Sequence, residues 1–292
     1  MPKKRHRSFT KTIQQWARRI VLLGIGVAIC SWIYAFKIEP AWIEVVPIAL
    51  TLPHLPSAFQ DFKIVQISDL HAGGAMTEQR LTRIMTLVNQ QQPDLIAITG
   101  DFVTRDPQQF APLLEKSLQQ LTPNALTVAV LGNHDHWQNP HIIREVLAKS
   151  SILDLSNAVY TLQRGQDQLN IAGIDDFWFK KARLEQVMAQ LPLEGAAILL
   201  AHEPDFADIS TRERRFDLQL SGHSHGGQVR LPFIGPPILP PYGKKYPMGR
   251  YQVGDMILYT NRGVGMVSPE VRLSCRPEIT VLTLKTTSPV TS

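Results

Sequence analysis

Cysteine is nearly absent: Cys30 and Cys275 are the only two in 292 residues. One lies in the most apolar stretch and the other near the opposite end, so the pair builds neither a disulfide framework nor a thiolate metal site. Both read as small buried apolar side chains. Acidic residues are missing before Glu39, whereas Lys3, Lys4, Arg5, Arg7, Lys11, Arg18 and Arg19 gather in that segment. The formal net charge of +5 is therefore carried by the N-terminal tail, and the remainder is slightly acidic. That gives no support for a nucleic-acid groove, which needs a basic stripe on the folded domain, and no nucleic-acid partner is expected. Internal repeats and low-complexity segments are lacking too, and no feature sets an oligomeric state.

Long apolar runs are confined to residues 20–36, IVLLGIGVAICSWIYAF, 17 residues without a charge. As a helix this reaches about 26 Å, near the lower limit for crossing a bilayer. Trp32 and Tyr34 sit near its outer end, where amphipathic rings favour the headgroup region. A core helix rarely follows so basic a tail, and no small-x-small cleavage site precedes Lys37, so an uncleaved anchor is expected rather than a signal peptide. The basic flank places the N-terminus in the cytoplasm and the rest of the chain on the far side. Arg18-Arg19 loosely resembles a twin-arginine export signal, though such pairs also occur at membrane flanks for topological reasons alone. The expected organisation is a basic tail over 1–19, an anchor over 20–36, a proline-containing extended connector over 37–60, a globular domain over 61–286 and a short tail over 287–292.

With 44% apolar residues the chain can bury one large core. From Lys63 onward, short β-rich runs alternate with helical periodicity, which predicts a layered α/β domain. Strands are predicted at 63–68, 94–100, 126–132, 169–174, 196–201, 216–222, 256–261 and 278–284. Helices are predicted around 78–90, through Phe110 to Leu121, through Ile142 to Leu147, and through Leu184 to Leu191, each with apolar residues at i, i+3, i+4 spacing.

The polar residues fall where these strands end. The first runs into Asp69-Leu70-His71, the second into Gly100-Asp101, and the third into Gly132-Asn133-His134-Asp135. Later, AAILLA meets His202, and LQLSG meets His223-Ser224-His225. Strand ends of layered α/β folds converge on one crevice, so separated segments can assemble a single site. Carboxylate and imidazole donors in this mixture suit Mn²⁺, Fe, Zn²⁺ or Mg²⁺ and not a thiophilic metal. In Asp-x-His and His-x-His, an extended strand end is expected to throw alternate side chains to one face.

The ordered blocks Asp-x-His, Gly-Asp, Gly-Asn-His-Asp, a lone His and Gly-His-x-His, running from Asp69 to His225, resemble the signature of the calcineurin-like metallophosphoesterases. The resemblance covers essentially the whole chain after the anchor. It implies an αββα sandwich of mixed sheets and a site for two divalent metal ions, with Mn²⁺ the expected ion. By the family pattern Asp69, His71, Asp101 and His225 bind one metal, and Asp101 bridges to a second held by Asn133, His202 and His223. His134 faces the scissile phosphate as the catalytic residue, and Asp135 is expected to orient its imidazole through a hydrogen bond. Two cations about 3.5 to 4 Å apart acidify a shared water and neutralise charge on the phosphoryl oxygens.

Substrate clues lie further on. LPFIGPPILPPYGKKYPMGRY, over 231–251, is too rich in proline for a core element. It reads either as a loop that dips into a membrane interface, with Lys244, Lys245 and Arg250 meeting headgroups, or as a rigid flap packed on the domain. The Gly-His-x-His-Gly-Gly-Gln extension, the Lys-Tyr-Pro-x-Gly block, Asn261-Arg262-Gly263 and Arg276-Pro277-Glu278-Ile279-Thr280 resemble the membrane-associated bacterial branch of the family. That branch includes UDP-2,3-diacylglucosamine pyrophosphatases of lipid A biosynthesis, whose substrate is cytoplasmic and so conflicts with the topology inferred from charge. Asp175-Asp176-Phe177-Trp178 resembles a further block of that branch, and the aspartate pair reads as a turn or as a support for the site. The expected activity is hydrolysis of a phosphoester or pyrophosphate bond in a lipid-linked substrate. A phosphodiesterase or phosphomonoesterase for soluble periplasmic substrates is the alternative, and a non-catalytic metal-bound module is a third.

Overall fold

The computed structural model describes residues 3–122, 124–137 and 139–287. Residues 63–67 carry the pattern that sets the architecture: Ile64 faces one core, and Val65 and Ile67 face another. A strand apolar on both faces must lie inside a stack of layers. Among the described residues there are two six-stranded sheets. The first contains β1 (Glu44–Thr51), β2 (Lys63–Ile67), β3 (Leu95–Thr99), β4 (Leu126–Val130), β5 (Leu153–Asp154) and β12 (Glu278–Lys285), in the order β1-β12-β2-β3-β4-β5. The second contains β6 (Ala158–Arg164), β7 (Asp167–Gly173), β8 (Ala196–Leu200), β9 (Leu218–Ser221), β10 (Gly249–Val253) and β11 (Met256–Thr260), in the order β10-β11-β9-β8-β7-β6. Both are mixed: β2 to β5 run parallel with β12 antiparallel to β2, and β7, β8, β9 and β11 run parallel between antiparallel edges β6 and β10.

The sheets face each other across a core that includes Leu50, Ile64, Val128, Leu282, Ile198, Leu220 and Tyr259. α2 (Glu78–Gln90), α3 (Pro107–Leu118) and α5 (Pro140–Lys149) cover the outer face of the first sheet through Leu81, Ile84, Leu114 and Val146. α6 (Leu184–Gln190) and neighbouring short turns cover the second through Val187 and Phe206. Side-chain caps start the outer helices: Thr77 accepts from the N–H of Arg80, and Asp106 from that of Gln109 at 3.0 Å. The predicted αββα sandwich is the observed fold.

Two predicted boundaries differ. Residues 37–60, expected to be an extended connector, contain β1, which pairs in parallel with β12 from Glu44↔Glu278 to Thr51↔Lys285. Its position at the sheet edge accommodates Pro47. The expected tail over 1–19 is not separate from the apolar run either, because one helix, α1, spans Lys3–Ile33. Its apolar part, continued through short turns to Ala41, is almost wholly unburied, so it is not a core helix. Among the described residues this is the one helix long and apolar enough to cross a membrane. Residues 288–292 of the expected C-terminal tail lie outside the described residues.

Candidate metal centre

Parallel strands carry their C-termini to the same side, and the two sheets bring those ends together. Asp69 and His71 follow β2, Asp101 follows β3, Asn133 follows β4, His202 follows β8, and His223 and His225 follow β9. The backbone N–H of His223 donates to the Asp69 carboxylate at 3.1 Å, and Gln66 donates across the gap to the Ser221 carbonyl at 2.9 Å. Local geometry differs from the expected alternation. Asp69, His71, Asp101, His223 and His225 all have φ between 48° and 69°, in the left-handed region. The segments kink as they leave their strands, and the two residues of each pair converge through those kinks. For non-glycine residues this conformation costs energy and clusters at functional sites. Room for the kinks comes from Gly132 and Gly222, where an added Cβ would collide with Asp101 and His202, and with Ser68 and Asp69, respectively.

All seven predicted ligands are buried and gathered. The Nε2 atoms of His71 and His225 face each other at 3.1 Å, with Asp69 Oδ1 3.3 Å from the latter. His202 Nε2 and His223 Nδ1 face each other at 3.2 Å. Asp101 stands between the two groups: its Oδ2 lies 3.6 Å from His71 Nε2 and 3.3 Å from His202 Nε2. Its other oxygen accepts the His134 N–H at 2.9 Å, which leaves one oxygen aimed at both groups. Asn133 Oδ1 is buried and has no hydrogen-bond partner. Two nitrogens bound tetrahedrally at about 2.1 Å from one cation lie roughly 3.4 Å apart, so the facing imidazoles and the free amide oxygen fit two metal ions.

Electrostatics agree with that fit at three of the four imidazoles, whereas burial of His202 is outweighed by the carboxylates of Asp101, Asp69 and Glu203, which hold it above its ordinary range. Burial drives His71 and His223 down to about 3 and His225 well below its ordinary range, leaving neutral imidazoles with lone pairs to offer. Burial likewise pushes Asp69 up to about 7 despite His202, and the neighbouring Asp101 adds to the rise. Carboxylates crowded in this way are stabilised by cations.

Further groups hold the imidazoles. His202 Nδ1 lies 2.6 Å from the Thr99 carbonyl, His223 Nε2 lies 2.8 Å from the Pro241 carbonyl, and Thr104 Oγ1 lies 3.1 Å from His71 Nδ1. Such contacts fix the tautomer and aim the opposite nitrogen. His134 Nδ1 lies 3.1 Å from the Thr104 carbonyl, and its ring packs 3.9 Å from Trp137. The expected hydrogen bond from Asp135 to His134 is therefore replaced. The Asp135 carboxylate instead accepts backbone N–H groups of Gly132 at 2.9 Å, Asp101 at 3.0 Å and Phe102 at 2.9 Å, tying two ligand loops together. Thr104 and Trp137 were not expected from sequence; their only signal is position, three residues after Asp101 and four after Asn133. Asp175 and Asp176 are buried. Asp175 takes His136 Nε2 at 2.6 Å and Arg144 at 2.9 Å, so it holds α4 (Asn133–His136), the turn that carries Asn133 and His134.

Beside the ligands opens a cleft of about 390 Å³. His134, His223 and His225 form one wall; Val229, Ile238, Val267, Pro269 and Val271 form much of the other. The proline-rich segment thus flanks the site, with Phe233, Ile234 and Ile238 at 109%, 74% and 79% exposure. Lys245 pairs with Asp208 at 2.7 Å at the surface, and Lys244, Lys245 and Arg250 are all exposed.

Comparison with known proteins accords with this geometry. Residues 62–227 match the sequence profile of the calcineurin-like phosphoesterases. Over 258 residues the chain is 37% identical to the metallophosphoesterase YkuE of Bacillus subtilis, covering 87% of this chain and 90% of that one. It is 33% identical over 259 residues to the phosphodiesterase YaeI of Escherichia coli, covering 86% and 92%. The UDP-2,3-diacylglucosamine pyrophosphatase LpxG of Chlamydia muridarum is 25% identical over 315 residues, covering 88% and 94%. With its five strand ends of clustered Asp, Asn and His inside the matched region, the chain belongs to the calcineurin-like phosphoesterases, metal-dependent enzymes that hydrolyse phosphoesters at a dinuclear centre.

Proposed function

We propose that this phosphoesterase is membrane-anchored through α1 and hydrolyses a lipid-linked phosphoester. The observation that carries this reading is the cleft, whose apolar wall of Val229, Ile238, Val267 and Pro269 adjoins the clustered imidazoles. A phosphoester with acyl chains fits such a wall better than a small polar one, because apolar area leaves water on binding. The 25% identical relative that bears the name of a diacylglucosamine pyrophosphatase supports a lipid-linked substrate. A phosphodiesterase for water-soluble esters is the second reading, supported by the name of the 33% identical relative.

In the proposed site Asp69, His71, His225 and Asp101 hold one divalent cation, and Asp101, Asn133, His202 and His223 hold the other, with Mn²⁺ the preferred ion. Bound there, the cations would acidify a water near neutral pH and polarise the phosphoryl oxygens. His134 is the general acid. Its Nδ1 donates to the Thr104 carbonyl, which turns Nε2 toward the cleft to protonate the leaving oxygen. Asp135 and Thr104 are positioning residues. The basic N-terminal flank of α1 puts the catalytic domain outside the cytoplasm, which favours a phospholipid over a nucleotide-linked lipid. The deciding experiment assays the Mn²⁺-loaded full-length protein against phospholipid in mixed micelles and against bis(p-nitrophenyl) phosphate. Turnover of the soluble ester alone would sink the lipid reading.

A further inference from the structure

The apolar helix does not reach the domain through a free linker. Beyond Ile33 it widens into a π-helical turn over Tyr34–Ile38 and then tightens into a 3₁₀ turn over Glu39–Ala41, and from Ala35 onward it is bolted down. The Ala35 carbonyl accepts from the Arg272 N–H at 3.0 Å. Glu39, only 1% exposed, accepts from the N–H groups of Ser274 at 2.9 Å and Cys275 at 2.5 Å. Arg80 donates to the Pro40 carbonyl, Arg83 donates to the Ala41 carbonyl at 3.3 Å, and Arg276 lies 3.6 Å over the Trp42 ring. Glu44 then enters β1 through its N–H bond to Pro277. A buried carboxylate satisfied by two backbone donors, followed by a sheet strand, ties the helix end to the domain at several points between Ala35 and Glu44.

The segment that receives the helix also walls the catalytic cleft. Arg272, fully buried, braces it by donating to the carbonyls of Arg262, Gly263, Gly265 and Cys275. Leu273 pairs with the root of the proline-rich flap, donating to the Gln228 carbonyl at 2.9 Å and accepting from Arg230 at 2.8 Å. The Gln228 side chain reaches back to Val267 and Pro269. Val267, Pro269 and Val271 line the cleft, Met266 and Glu270 line a second hollow with Phe36, Lys37 and Pro40, and Ser268 borders both. One short loop therefore has the helix end on one side and the metal-site cleft on the other. The exposed tip of Phe233, Ile234 and Ile238 is rooted one hydrogen bond away.

We propose that residues 34–41, loop 264–275 and the flap root form one rigid mount that seats the domain on the bilayer, with the flap tip in lipid, so that acyl chains enter the cleft from the membrane. The proposal rests on the anchored, lipid-directed reading above. The occupant of the exposed tip is the bilayer: the tip is apolar, the same chain carries an unburied apolar helix long enough to cross one, and exposed Lys37, Lys244 and Arg250 suit anionic headgroups. A flexible tether would let the cleft face any direction, whereas the mount holds it toward lipid.

The test uses the full chain in vesicles of phosphatidylcholine and phosphatidylglycerol, with Ile234→Cys labelled by an environment-sensitive fluorophore in a Cys30→Ser background. A second form carries a flexible Gly-Ser insertion of about twelve residues between Ile33 and Tyr34, which keeps helix and domain but uncouples them. Brominated lipids are expected to quench the label in the uninterrupted chain, and the insertion is expected to weaken quenching and lower vesicle-phospholipid turnover about tenfold, with bis(p-nitrophenyl) phosphate hydrolysis unchanged. Absence of quenching in the uninterrupted chain would overturn the seating, whatever the substrate. Quenching and lipid turnover that both survive the insertion would overturn the rigid coupling while the lipid reading stands. Quenching without lipid turnover in either form would overturn substrate entry from the membrane, and with it the lipid reading.

Discussion

The chemistry of the site turns on three side chains whose neighbours separate their roles. Asp101 has one oxygen committed to the His134 N–H and the other aimed at both ligand groups. Asp101→Asn is expected to lower metal content at both positions, measured by elemental analysis of the purified protein; full occupancy would refute the bridge. His134 touches no predicted ligand through its ring hydrogen bond, which goes to Thr104. His134→Ala should retain metal and lose about 10² to 10⁴ in kcat. Asp135 is different again, since its carboxylate satisfies the backbone donors of Gly132, Asp101 and Phe102 in the interior. Its removal leaves buried N–H groups unpaired, and Asp135→Ala should cost at least about 2 kcal/mol in denaturant unfolding. A variant with full stability and a slow kcat would restore the orienting role instead.

At the scale of elements, the flap and α4 carry separable functions. Phe233, Ile234 and Ile238 are exposed, so replacing all three with Ser should change stability little while impairing phospholipid turnover more than bis(p-nitrophenyl) phosphate turnover. Equal losses on both substrates would make the flap merely structural. α4 is pinned from outside by Asp175, which faces His136 on that turn and Arg144 on α5, the latter shared with Asp154. Burial alone would raise Asp175, but the His136 contact, the Asp176 N–H and Arg144 outweigh it and hold the carboxyl below its ordinary 3.8. A depressed folded value means that the stabilisation is present above the unfolded pKa and lost as pH falls through the folded one. Wild-type Tm should therefore fall below about pH 4, and Asp175→Asn should start lower at pH 7 and fall less steeply on acidification. Parallel Tm profiles for the two proteins would argue against this link.

For the whole molecule, the site joins two sheets that otherwise meet through an apolar core. Ligands from β2, β3 and β4 on one side and β8 and β9 on the other would be cross-linked by the cations. Chelation should abolish hydrolysis and lower Tm by a margin that grows with metal concentration in the reference sample, and added Mn²⁺ should restore both. Hydrolysis that persists after metal removal would refute the dinuclear mechanism.

Much of this was legible in the chain itself. The two-faced apolar strands, the period of α2 and the metal-donor residues at five strand ends are local patterns, and local patterns determine layers and the side of the sheet on which donors appear. β1 was not legible, because Pro47 interrupts its run and its partner β12 lies over two hundred residues away. Nor was the Asp135 clamp, since a carboxylate beside a histidine reads as that histidine's partner until the backbone donors of Gly132 and Phe102 are folded around it. The left-handed kinks at Asp69, His71 and Asp101 belong to the same class, for they are imposed by the neighbouring strands and not by the residues that adopt them. The sequence by itself determined the seven buried donors and the layered fold that collects them. Only the tertiary structure decided that Asp135 clamps the backbone between two strand ends and that the helix end docks on the cleft wall, because both depend on contacts between segments far apart in the chain.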